Sequence, residues 1–196
     1  MSSRAISIVD VDVDHQMPSD ESLLAACAQG NTHALGILFD SHHRAVYRFI
    51  YRLSYSESED IDDLVQTTFL RVQEKARTFN GHSAVRTWIF GVAINVVRRA
   101  RRRRFKRRRI AHAMADVPRS RRCSLDAAAQ NRQAVRRLKA GLSSLPDHLR
   151  ECFVLCQLEG VSGPDAARTL GLRLGTVYRR IHEARKLLKE AMGDCL

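Results

Sequence analysis

Apolar residues recur at helical spacing along nearly the whole chain. From 32 to 53, Leu35, Leu38, Phe39, Val46, Phe49, Ile50 and Leu53 fall on one helix face. Ile61, Leu64, Val65, Thr68, Phe69 and Val72 form a second stripe. The most regular stripe is Val85, Trp88, Ile89, Val92, Ala93, Val96 and Val97, at i, i+3, i+4, i+7 and onward. Ahead of these, Ser19 can cap a helix that runs through Gln29 and stops at Gly30. Ser56 and Glu59 make a capping box for the second stripe. Five of the seven residues from Glu57 to Asp63 are acidic, which suits the positive end of a helix dipole. Residues 1–18 alternate Val and Asp without a partner strand in sight and read as a mobile acidic tail.

The periodicity fails at 110–123, IAHAMADVPRSRRC, which contains Pro118 and reads as a linker. It resumes near Ser124, runs through Val135, Leu138 and Leu142, and breaks at Pro146. LPDHLRECFVLCQLEG then reads as a short helix ended by Gly160. The expected fold is all-α: two small helical domains, 19–109 and 124–196, joined by a flexible linker.

The sharpest local signal lies at 162–188. Ser162 and Asp165 form a capping pair, with Pro164 in the first turn, where its missing N–H costs nothing. Ala167 sits where two helices must approach closely, Gly171 allows the turn, and Val177 packs the second helix back. Ala, Gly and Val at that spacing are the skeleton of a helix-turn-helix. The second helix is expected to turn Leu174, Val177, Ile181 and Ala184 inward. It then exposes Arg173, Thr176, Tyr178, Arg179, Arg180, His182 and Arg185, with Gly175 beside them. Arginines on such a face bond guanine edges bidentately or grip phosphates. The competing reading is a helical hairpin with a solvated basic face.

Composition sharpens this. The 196 residues carry a formal charge of +12, an argument for an anionic partner rather than for any fold. Ten basic side chains crowd between Arg98 and Arg109, and the stripe before them makes this run the continuation of an anchored helix. No stretch of eighteen apolar residues and no secretory signal is present, so a cytoplasmic protein without membrane insertion is expected. Five scattered cysteines argue against a disulfide framework. His148, Cys152 and Cys156 fall at i, i+4 and i+8, which could align three metal ligands. A stripe of Cys beside Leu149, Phe153 and Leu155 is more often core. No phosphate-binding glycine loop and no nucleophile–base pair stands out, so no catalytic residue, cofactor or small-molecule substrate is expected.

Two blocks resemble one family. DIDDLVQTTFLRVQEKARTFNGHSAVRTWIFGVAINVVRRARRRR, 60–104, and LSSLPDHLRECFVLCQLEGVSGPDAARTLGLRLGTVYRRIHEARKLL, 142–188, are similar to bacterial sigma factors of the extracytoplasmic-function (ECF) group, which have only regions 2 and 4. The resemblance implies partners: core RNA polymerase through the β′ clamp helices and the β subunit, promoter DNA, and an anti-sigma factor. By that resemblance Asp60, Asp63, Leu64, Gln66 and Phe69 meet the clamp helices. Asn80, His82 and Ser83 form a pocket for an unstacked base of the −10 element. Arg86, Phe90, Asn95, Arg98 and Arg99 line the exposed helix face beside it. Trp88 lies on the apolar stripe and reads as core, with base stacking as the alternative. Arg98–Arg104 would grip phosphates at the junction of duplex and single strand. The helix-turn-helix, with Arg173, Gly175, Thr176, Tyr178, Arg179, Arg180, His182 and Arg185, would read the −35 element. Two departures bear on base preference: Arg173 stands where the family often has Ser or Pro, and Gly163–Pro164 where it often has an aromatic and acidic pair. The residues alone also allow a stand-alone dimeric helix-turn-helix regulator, or a metal- or thiol-sensing switch on Cys152 and Cys156.

Overall fold

The structure, a computed structural model, describes residues 18–54, 60–112 and 140–192. The tail, the Ser56–Glu59 capping box, most of the linker and the Ser124–Leu138 stripe lie outside the described residues.

The N-terminal half is built from four helices. α1 (Asp20–Ala28) starts at Ser19, whose Oγ accepts the Ser22 N–H at 3.2 Å. Gly30, at φ +90°, makes the turn that only glycine adopts without strain. α2 (Thr32–Leu53) is capped by Asn31, whose Oδ1 accepts from the His33 and Ala34 N–H groups. α3 (Ile61–Lys75) is capped by Asp60, whose Oδ1 accepts from the Asp62 and Asp63 N–H groups. A short 3-10 turn (Ala76–Thr78) and a loop with Gly81 at φ +73° lead into α4 (Val85–His112). α4 carries the basic run as continuous helix and extends two residues past the expected start of the linker at 110.

The predicted stripes meet in the core. Phe49 stacks on Phe90 at 4.3 Å between centroids, and Phe39 meets Phe69 edge-on at 4.9 Å. Leu38, Val46, Ile50, Val72, Ile89 and Ala93 are fully buried around them. Each of these Val, Leu, Ile and Phe side chains contributes roughly 1.5–3 kcal/mol of apolar transfer.

In the C-terminal half residues 140–144 are helical. α5 (Asp147–Phe153) follows and widens into a π-helical turn, Val154–Leu158. Gly160, at φ +70°, ends it. α6 (Gly163–Leu170) and α7 (Leu174–Met192) complete the fold. α5 packs on α7, with Leu149 and Cys152 among the buried residues of one and Val177, Ile181, Ala184 and Leu188 of the other. Among the described residues there are only helices and turns, as an all-α chain requires.

The halves close on each other. α4 meets α6, and α2 meets α5, so a single apolar cluster runs through the molecule. Gly91 permits the first contact: a Cβ there would lie 2.9 Å from Thr169 Cγ2. The second is tied by Arg150, which is 5% exposed. Its guanidinium donates to the carbonyls of Leu142 (2.9 Å), Leu145 (2.5 Å) and Ser143 (3.3 Å), and to Asp147 Oδ1 (2.8 Å). It also reaches the Leu53 carbonyl at the end of α2, at 3.3 Å.

Candidate nucleic-acid interface

The helix-turn-helix forms as its skeleton predicts. Ser162 caps α6 by accepting the Asp165 N–H at 3.2 Å, and its hydroxyl donates to Asp165 Oδ2 at 2.6 Å. That hydroxyl, and then the Arg168 guanidinium, hold the Asp165 carboxyl below the usual carboxylate range. Gly171 turns the chain at φ +66°. Ala167 and Val177 are buried between α6 and α7, together with Ile181 and Ala184.

Arg173, Gly175, Tyr178, Arg179, His182 and Arg185 are exposed on the opposite side, while Thr176 and Arg180 are half-buried. Arg180 is turned toward the Cys152 thiol, and Arg185 donates to Gln157 Oε1 at 2.5 Å. Leu174 corrects the expectation of an inward residue: at the first position of α7 it is 40% exposed, because the helix has only begun and nothing covers it. The Gly163 departure has a structural counterpart. A Cβ at Gly163 would meet the Tyr178 hydroxyl at 2.7 Å, so the missing side chain makes room for the Tyr178 ring against the start of α6.

The second candidate surface is the loop before α4 and that helix's outer side. Asn80 and His82 are exposed and Ser83 is half-buried; Asn80 Oδ1 accepts the His82 N–H at 3.3 Å, which rounds the loop. Asn95 and Arg99 are exposed along α4, with Arg102 and Arg103 continuing the row. Asn95 donates to the Gly91 carbonyl at 3.1 Å. Phe90 does not belong to this face. It is 1% exposed and stacked on Phe49, because it follows Ile89 onto the inward side of the helix. Arg86 lies over its ring, 5.3 Å from the centroid. Trp88 is partly buried, edge-on to Phe79 at 5.8 Å, as its place on the stripe implies.

The arginines of α4 divide into two groups. Arg86 donates to Glu159 Oε2 at 3.0 Å, and Arg98 forks onto Glu151 at 2.9 and 2.5 Å. Those bonds to Glu151 hold the Arg98 guanidinium firmly charged. Arg101 points inward, to Asp147 at 2.9 Å and to the Leu53 carbonyl, and so departs from the expected phosphate-gripping run.

Asp60, at the cap of α3, and Asp63 and Gln66 on the helix are exposed. Leu64 and Phe69 are not: both are buried in the stripe that packs α3 on α2, which corrects their placement on a docking face. Asp60 spends its carboxylate on the helix cap. The exposed Leu70 extends the acidic face with an apolar side chain. A groove between α2 and α3, lined by Phe39, His43, Arg44, Tyr47, Asp62 and Gln66, opens beside it.

The sequence pattern did not single out Arg150, Glu151 or Glu159. Buried charges on a short helix carry a weak signal; LRECF shows only two charges inside an apolar run. The cysteines behave as core. Cys152 is fully buried, Cys156 half-buried and His148 exposed, so the three do not converge. Burial pushes the Cys152 thiol up, and pushes Cys156 up to about 11. Among the described residues no three His, Cys, Asp or Glu side chains could hold a metal ion, and no helix is long and apolar enough to cross a membrane.

A helix-turn-helix with a basic outer face, joined to a helical block with its own cationic helix, defines an all-helical protein of the transcription-regulator class. Comparison with known proteins fixes which one. The models for sigma-70 region 2 and sigma-70 region 4 match residues 38–109 and 136–188. The ECF RNA polymerase sigma factor SigM of Mycobacterium tuberculosis (strain ATCC 25618 / H37Rv) is 34% identical over 175 residues, 89% of this chain and 85% of its own. The structure of CnrH in complex with the cytosolic domain of CnrY superposes with a TM-score of 0.65 at 27% identity, over 90% of this chain and 99% of that one. The sigma factor RpoE of Bartonella quintana, in complex with the anti-sigma factor NepR, shares the fold with a TM-score of 0.66 at 24% identity, over 80% and 95%. The chain belongs to the ECF RNA polymerase sigma factors.

Proposed function

We propose that this sigma factor docks on core RNA polymerase through the exposed acids of α3, reads the −35 element with α7, and opens the −10 element with α4 and the loop before it. The observation that carries the reading is the sorting of charge over the described surface. Asp62 and Asp63 stand exposed on α3, whereas the exposed side chains at candidate DNA positions on α4, on α7 and just before it include Arg86, Asn95, Arg99, Arg102, Arg103, Arg173, Tyr178, Arg179, His182 and Arg185, with no carboxylate among them. An acidic docking face and two cationic reading faces are what a protein between a polymerase and promoter DNA requires. Clamp contact then rests on Asp63 and Gln66, with Leu64 and Phe69 holding α3 from beneath. The domain limits 19–109 and 124–196 separate the two readers. An anti-sigma partner is part of the proposal, supported by CnrH, which is seen bound to the cytosolic domain of a second protein.

The test is run-off transcription with purified core polymerase on a promoter library, with and without this protein. New initiation at a defined set of start sites is expected. No initiation, with the protein binding duplex DNA alone as a tight dimer, would replace the proposal with the stand-alone regulator. Asp63→Arg is expected to weaken core binding about tenfold while far-ultraviolet circular dichroism stays unchanged, since the side chain is exposed. Unchanged affinity would remove α3 from the docking face. Arg179→Ala is expected to lower discrimination for the −35 sequence by about tenfold or more, the worth of one good base contact of roughly 1–3 kcal/mol, and to leave core binding intact. Retained promoter preference would take Arg179 off the reading face.

A further inference from the structure

Tyr178 of α7 is 55% exposed, yet its ring does not stand clear of the fold. It leans back on the start of α6. A Cβ at Gly163 would lie 2.7 Å from the phenol oxygen, 2.9 Å from Cζ and 3.0 Å from Cε1. The edge of the ring therefore takes the place of a side chain at 163. Gly163 opens α6 and is not among the glycines at positive φ, so its backbone does not call for glycine. The ring above it does. Pro164 beside it has no N–H, which leaves the first turn of α6 one donor short, and the phenol O–H stands at that turn. Among the described residues no hydrogen bond engages the phenol. The carboxylate of the same turn, Asp165, accepts from the Ser162 hydroxyl and pairs with Arg168, so its charge is already answered.

In a helix-turn-helix the second helix enters the major groove while the first crosses the phosphate backbone. A side chain that leaves α7 and rests on the start of α6 thus points to the backbone and away from base edges. A tyrosine hydroxyl donates well to phosphate oxygen, a contact that positions the protein without reading sequence. Arg179 and His182 differ, being exposed and without a side-chain partner among the described residues. We propose that Gly163 is a positioning residue for DNA: it seats the Tyr178 ring so that the phenol O–H donates to a backbone phosphate of the −35 duplex. The proposal rests on the reading of α7 as the −35 helix. It divides that face, with Tyr178 fixing how α7 sits in the groove and Arg179 left to read. It also sets fold and binding against each other at 163. Alanine suits the helical backbone there, and the obstacle is the far end of a flexible side chain, so the ring swings aside and the fold stays. Replacing glycine by alanine at a compatible position narrows the unfolded ensemble, so stability holds or rises.

The experiment uses the full chain assembled with core RNA polymerase. The probe is a fluorescein-labelled promoter duplex recovered from the run-off library, with a panel in which each −35 base pair is replaced in turn. Gly163→Ala and Tyr178→Phe are each expected to weaken binding about threefold to tenfold, the worth of one hydrogen bond, and by the same factor across the panel. The double variant is expected to bind no more weakly than Tyr178→Phe alone, because the hydroxyl is lost only once. The salt dependence stays unchanged, since no cation is removed. The melting temperature of Gly163→Ala is expected to equal or exceed the wild type. Tyr178→Phe keeps the ring in its seat and tests the hydroxyl even if the alanine variant folds poorly. Wild-type binding by Gly163→Ala, or losses that multiply in the double variant, would overturn the seat. A loss on Tyr178→Phe that depends on the −35 base pair would make Tyr178 a base reader and overturn the phosphate contact. A wild-type protein that initiates at no promoter would overturn the −35 reading and the seat with it. That result is distinct from initiation that neither substitution alters, which overturns the seat alone.

Discussion

Arg150→Met is expected to lower the melting temperature by about 6–12 °C, read by circular dichroism. The Arg150 side chain is buried, and its guanidinium satisfies four backbone carbonyls and Asp147. Methionine fills most of the volume and donates nothing. The Leu142 carbonyl keeps the Leu145 N–H and the Leu53 carbonyl keeps Arg101, so the loss falls on the carbonyls of Leu145 and Ser143; at about 1–3 kcal/mol for each one left unpaired, softened where water can enter, a loss of about 3 kcal/mol is expected. For a protein of this size each kcal/mol moves the midpoint by about 2–4 °C. Arg150→Lys is expected to recover only part of the loss. A compact ammonium cannot fork across carbonyls that belong to the 142–145 turn and to the end of α2. A melting temperature within about 1 °C of the wild type would mean that the guanidinium is hydrated in solution and that the turn holds itself.

Arg150 marks the boundary of what the sequence discloses. The stripes of α2, α3 and α4 were legible because each buries one face against its neighbours, so burial imposed a period. The turn at Gly171 was legible because a positive φ demands glycine. The contact between the halves follows neither rule. It depends on four charged side chains, Arg52, Arg86, Arg98 and Arg101, meeting three carboxylates 46 to 107 residues away, and no period relates them. Single charges inside amphipathic helices read as solvated until a partner is seen. Leu64, Phe69 and Phe90 failed for a different reason. The periodicity already placed Leu64 and Phe69 on the buried stripe, and the resemblance placed them on a docking surface. The resemblance ranked positions by family role, whereas burial ranks them by packing, and the packing prevails. Phe90 is the finest case. It directly follows Ile89, on the edge of the α4 stripe, where a shift of 100° decides between core and solvent. The Phe49 ring decides it.

Phe90→Ala is expected to destabilise the fold by about 3–5 kcal/mol, the usual cost of emptying a buried aromatic site. The ring is 1% exposed and stacked at 4.3 Å on Phe49, so the cavity would open at the α2–α4 contact. A loss of that size shifts the melting temperature by about 6–20 °C. Phe90→Leu keeps most of the volume and is expected to lose less than half as much. Arg86, which rests over the ring, would lose its cation–π contact in both variants. Stability and DNA affinity therefore separate the two roles the residue has been given. As a core residue it changes the melting temperature strongly, and at a temperature where the variant is still folded it changes single-strand binding little. A variant with wild-type melting and tenfold weaker binding would return Phe90 to the DNA face, which would require α4 to rotate about its axis.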